Sequence, residues 1–124
     1  MKNITKTILM SLILFLSISA NAQKTPYYNT QEQAIEAAYI AFDNEMNSGE
    51  LKEWATSKGI KGSYTFDITI GGKKGEVYTV STIERSEDGE IGHQNSLKNY
   101  VKLMRMPFKL PKDRSYKFRY EFKF

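Results

Sequence analysis

The chain has no cysteine, three prolines, one histidine and one tryptophan among its 124 residues. Without cysteine there is no disulfide, no thiol nucleophile and no lipid-bearing cysteine, so the fold must hold by packing alone. His93 has no cysteine to pair with, and no serine sits in a Gly-x-Ser-x-Gly elbow. It lies among Glu87, Asp88 and Glu90, but Asp88-Gly89 lacks the alternating ligands of a calcium loop. A solvent-facing loop histidine is the expectation. Gly71-Gly-Lys-Lys-Gly75 is not a phosphate loop, because Lys73 is followed by Lys74 where that motif needs Ser or Thr opening a helix. No carboxylate pair is singled out by spacing. The inventory points away from catalysis, and no metal or cofactor is expected.

Long apolar runs are also scarce. Ile8 to Ser19 is apolar over 12 positions, follows Lys2 and Lys6, and leads to Ala20-Asn21-Ala22 before Gln23. That is the pattern of a cleaved export signal, too short for a spanning helix. The expectation is a periplasmic or secreted protein, cut after Ala22, with no membrane span in the mature chain. The mature length would be 124 − 22 = 102 residues, room for one modest domain. We place a short linker at 23–29 and a single domain at 30–124.

Charge is uneven. Residues 24–97 carry seven Lys/Arg and twelve Asp/Glu, whereas residues 98–124 carry nine and two. The two parts either neutralise one another or present a cationic edge to an acidic partner or a membrane surface. Export makes nucleic acid an improbable partner, and none is expected.

What the chain does have is pattern. Thr30-Gln-Glu-Gln33 fits a capping box, and behind it Ile35, Ala38, Tyr39, Phe42 and Met46 are linked by steps of three or four residues along one helical face. This predicts an amphipathic helix over 30–48, with the stripe in the core. Glu50 opens a short second helix bearing Leu51, Trp54 and Ala55, which Gly59 closes. Tyr64, Phe66, Ile68 and Ile70 alternate with polar residues and predict a strand, turned at Gly71–Gly75 into a returning strand over 76–83. Residues 86–92 read as a loop. Asn95 or Ser96 is expected to cap a helix bearing Leu97, Tyr100, Val101 and Met104, which Pro107 stops.

The terminal segment is the most regular. Tyr116, Phe118, Tyr120, Phe122 and Phe124 fall on one side of a strand, with Lys117, Arg119, Glu121 and Lys123 on the other. A single crossover helix would return this strand parallel to the second one. An all-antiparallel sheet therefore requires it to pair with the first strand, in the order 2-1-3. The fold class is α+β: two N-terminal helices, a hairpin, a helix and a terminal strand, with the three-stranded sheet packed on the helices. The last strand is then an edge, and an edge can recruit an extended peptide.

At these residues the chain resembles the C-terminal domain of TonB-type energy transducers, shared in outline with the TolA C-terminal domain. The likeness runs through Gly59-Ile-Lys-Gly62 and Tyr64–Ile70, the glycine turn before Glu76-Val77, the helix Leu97–Met104, and Met106-Pro-Phe-Lys-Leu-Pro111 leading into Tyr116–Phe124. The helix Gln33–Met46 also sits where that family has one. The resemblance implies a domain without catalytic activity that grips an extended segment of an envelope or outer-membrane protein against its final strand. Carried over, that role falls on Tyr116, Lys117, Phe118, Arg119, Tyr120, Glu121, Phe122 and Lys123. The chain departs from the family in having a cleavable signal in place of an anchor, no proline-rich spacer, and Met106-Pro107-Phe108 in place of a tryptophan. A binding module is therefore expected, and not a full energy transducer. Two other readings stay open: self-association through the same edge, as a homodimer, and a small inhibitor or immunity-type protein with its key residues in loops such as 86–92.

Overall fold

The computed structural model describes residues 25–124, so the export-signal reading lies outside the described residues. The elements run α1 (Gln31–Ser48), α2 (Glu50–Lys58), β1 (Ser63–Gly71), β2 (Glu76–Arg85), α3 (Ile91–Lys102) and β3 (Ser115–Lys123). The sheet is three-stranded and antiparallel in the order β2-β1-β3, the expected α+β architecture.

Local chemistry accounts for most boundaries. Thr30 Oγ1 accepts from the Gln33 amide and caps α1. Gly59 takes the left-handed conformation that ends α2. Gly72 and Gly75, also at positive φ, flank the lysines of the hairpin turn.

One sheet face carries the core. Tyr64, Phe66, Ile68 and Ile70 of β1 alternate inward with Tyr116, Phe118, Tyr120 and Phe122 of β3, and all eight are buried. Helix α1 covers β3, placing Phe42 against Phe118, Tyr120 and Phe122 at ring separations of 5.2 to 5.9 Å. Helix α3 covers β2, and Trp54 stacks on Tyr100 at 4.5 Å to tie α2 to α3. No helix among the described residues packs on the opposite sheet face. Among the described residues, no helix is long and apolar enough to cross a membrane.

Four local expectations need correction. Tyr39 is not core: it is 39% exposed, because α1 turns that flank toward the β3 edge while Ala34, Ala38 and Phe42 take the buried side. Helix α3 begins at Ile91, a turn before Asn95, so His93 sits in its first turn and not in a loop. The cause is tertiary. Tyr64 donates its hydroxyl proton to the Lys61 carbonyl and accepts from the Glu90 amide, pinning the chain where the helix starts without a side-chain cap. The stretch read as linker is docked: Lys109 N–H donates to the Pro26 carbonyl at 2.7 Å, and Tyr28 N–H donates to the Lys109 carbonyl at 3.0 Å. Finally, β2 runs on to Arg85 and is bulged twice.

Candidate functional site

Alternation in the sequence assigns side chains to faces, but it does not say which backbone groups look outward. The ladder does. Phe124 N–H donates to the Gly62 carbonyl at 2.9 Å, one step beyond the Ser63–Lys123 pair. Bonded and open pairs alternate along antiparallel strands. Phe122, Tyr120, Phe118 and Tyr116 therefore bond to β1, while Lys117, Arg119, Glu121 and Lys123 turn their amides and carbonyls away from it. The Tyr39 hydroxyl confirms this parity independently by donating to the Arg119 carbonyl at 2.6 Å. Among the described residues no other hydrogen bond reaches these outward groups.

The eight residues expected from sequence, Tyr116 to Lys123, thus form one continuous edge with two roles. The even-numbered aromatics hold the strand in place, and the odd-numbered residues supply the outward backbone. Tyr120 also anchors sideways, donating its hydroxyl to Asp43 at 2.6 Å. Burial pushes its phenol well above the ordinary range, and the Asp43 hydrogen bond adds to the rise.

The odd-numbered side chains stand on the uncovered sheet face. Arg119 grips Asp67 of β1 through two hydrogen bonds, Nε to Oδ1 at 2.8 Å and Nη2 to Oδ2 at 3.3 Å. This fork holds the Asp67 carboxyl below its ordinary value, against a smaller opposing effect of desolvation. Lys123 pairs with Glu121 along the strand at 3.3 Å. Lys117 makes no ion pair among the described residues. The cationic character expected of the whole row is therefore concentrated at Lys117, because Arg119 is already committed.

Beside the edge runs a shallow groove on the flank of α1, lined by Ile35, Tyr39 and Ile40 with Glu32 and Glu36. An incoming strand would lay its inward side chains there. Sequence reasoning missed this flank because the apolar spacing of Tyr39 reads as core. Ile40, five residues from Ile35 and over half exposed, was the available hint.

His93 Nε2 lies 3.6 Å from Glu90 Oε2, and its Nδ1 is buried without a partner, as is Thr82 Oγ1 on β2. No group of three or more potential metal ligands occurs among the described residues. No family model, no curated protein and no solved structure matches the chain, so its likeness to the TonB-type domain remains one of residue pattern.

Proposed function

We propose that this protein is an exported binding module that captures an extended segment of an envelope or outer-membrane protein by adding it as a fourth strand beside β3. One observation carries the reading: a nine-residue edge strand, in unbroken register with β1, whose outward groups meet no partner among the described residues apart from the Tyr39 hydroxyl on the Arg119 carbonyl. Four outward residues offer eight backbone groups, of which the Arg119 carbonyl is engaged; seven hydrogen bonds of about 1 kcal/mol each, less the cost of ordering the peptide, give only weak affinity. Side chains must add to it: acidic ones over Lys117 and apolar ones in the Ile35–Tyr39 groove.

The same edge meeting its own copy is disfavoured by α1. Paired strands lie about 4.8 Å apart, whereas packed helices need 8–10 Å. Two α1 helices, each covering β3 and reaching its rim through Tyr39, would collide across a twofold axis. A single added strand carries no such helix.

The test is a titration of extended peptides, acidic-apolar and basic-apolar, followed by amide NMR. The expected result is saturable binding of the acidic-apolar peptide with shifts centred on the Lys117, Arg119, Glu121 and Lys123 amides. Lys117→Glu together with Lys123→Glu should reverse the preference. Arg119 is best left intact, since a glutamate there would face Asp67. Equal binding of both peptides, or shifts centred elsewhere, would overturn the reading.

A further inference from the structure

The hairpin end of the molecule gathers a charge that the strand pattern does not explain. The turn residues Lys73 and Lys74 are held between two other segments. Met106 N–H donates to the Gly75 carbonyl at 2.8 Å, and Glu76 bridges to Arg105. On the other side Gly71 pairs with Ser115, and a Cβ on Gly71 would come within 2.9 Å of the Arg114 carbonyl. Lys73, Lys74, Arg105, Lys109, Lys112 and Arg114 thereby converge on one end from three parts of the chain, all exposed. The only acids in those turns are Glu76 and Asp113, and none of the six cations makes an ion pair among the described residues. The acids Glu84, Glu87, Asp88 and Glu90 lie at the opposite end of the sheet, while Glu32 and Glu36 of α1 stand on the flank of this one, where Tyr116 meets the Asn29 carbonyl.

Two apolar side chains border these cations: Leu103 shares a cleft with Arg105 and with the acids Glu45 and Glu50, and Tyr27 lies beside Lys109. Leu103, at the end of α3, is 86% exposed, and Tyr27, bridged to Lys109, is 58% exposed. Phosphate polymers and acidic peptides attract the cations but give an exposed leucine nothing to enter. A bilayer surface offers both a negative potential and an apolar boundary a few ångströms beneath it.

We propose that this end is a docking surface for an anionic phospholipid bilayer, with the cations at the headgroups and Leu103 and Tyr27 at the acyl boundary. Strand β3 starts at this end and runs away from it, so docking leaves the peptide-capturing edge projecting from the surface. The surface stands independently of the strand-addition reading.

The experiment is vesicle flotation of the protein as an exporting host processes it, with phosphatidylcholine alone and with added phosphatidylglycerol. Binding is expected only with phosphatidylglycerol and should fall steeply with salt. Each surface cation contributes roughly fivefold, so Lys73→Glu with Lys74→Glu should weaken binding by about 25-fold or more, and Leu103→Ser by about fivefold. These turn lysines are solvent-facing, and circular dichroism checks that the variant is folded. A second pair, Lys112→Glu with Arg114→Glu, should reproduce the loss from the neighbouring loop. Equal flotation with phosphatidylcholine alone, or no flotation at all, would overturn the proposal. So would binding of a duplex oligonucleotide or polyglutamate as tight as that of the vesicles and indifferent to Leu103→Ser, which would mark a general polyanion site.

Discussion

The sheet has two edges, and they are built differently. Along β3, nine consecutive residues pair with β1 without interruption, and four large aromatics anchor the inner side. Along β2 the register slips twice, between Thr65/Phe66 and between Thr69/Ile70, and only Val77 and Val80 are buried. Its first residue is already bridged to Arg105. Bulges and cover are the usual means of protecting an edge from unwanted pairing. The chain applies both to β2, whereas on β3, among the described residues, a single tyrosine hydroxyl meets the outward groups. An edge left regular beside one that is broken twice is the contrast on which the proposed capture at β3 rests.

The largest effect should come from the packing that holds β3 flat. Phe118→Ala removes a ring that contacts both Tyr39 and Phe42 and should cost about 3–5 kcal/mol by urea unfolding. Val80→Ala, its counterpart on β2, should cost about 2 kcal/mol. Equal losses would mean that the two edges are anchored alike, and the contrast would fail.

Amide exchange sharpens the comparison without changing a residue. On β3 the Phe118, Tyr120 and Phe122 amides donate to β1 and should exchange only through global opening. Those of Lys117, Arg119 and Glu121 should exchange faster by at least about a hundredfold. A strictly alternating profile is predicted for β3 and an interrupted one for β2. Protection of the odd-numbered amides in the free protein would show the edge to be already occupied.

The two edges also differed in how far they could be read in advance. Strand β3 was legible because its aromatic and charged residues alternate without exception, and one register follows from that. The strand order followed from connection lengths and direction. In β2, Val77 and Val80 are three residues apart, which regular alternation would place on opposite faces. The Tyr78 bulge brings both inward and lays the Tyr78 side chain over Gly71 and Gly72, its ring within 2.6 Å and its hydroxyl within 2.7 Å of where their Cβ atoms would be. That odd spacing was visible, but extended alternation hides it. The start of α3 and the role of Tyr39 were out of reach for a different reason. Each depends on one hydroxyl meeting a backbone group 26 or 80 residues away, and no local pattern encodes such a meeting.

Tyr39→Phe tests whether that hydroxyl protects the edge. The change keeps the ring on Phe118 and Tyr120 and frees the Arg119 carbonyl, which water can reach. The stability loss should be about 1 kcal/mol or less. Affinity for an acidic-apolar peptide should rise by up to about fivefold, since the incoming strand no longer displaces an internal donor. Unchanged or weaker affinity, with the fold intact, would show that the Tyr39 hydroxyl does not compete for the edge and that it serves the binding surface along with its ring.

The smallest effect concerns the outer face, where the Arg119–Asp67 fork joins β3 to β1. Its sign follows from linkage. Asp67 titrates below its ordinary value of 3.8 in the folded protein because of Arg119, so the folded state binds fewer protons there than the unfolded chain. The contribution is fully present above that ordinary value and fades as pH falls through the lowered one. Asp67→Asn should leave stability at neutral pH slightly reduced and flatten its decline only in strong acid. On β2 the residue facing Asp67 is the uncharged Ser81, which offers no equivalent term. An acid limb left unchanged by the substitution would show that solvent screening cancels the fork. The edge would then owe its position to the aromatic face alone, and Arg119 would be available to an acidic partner after all.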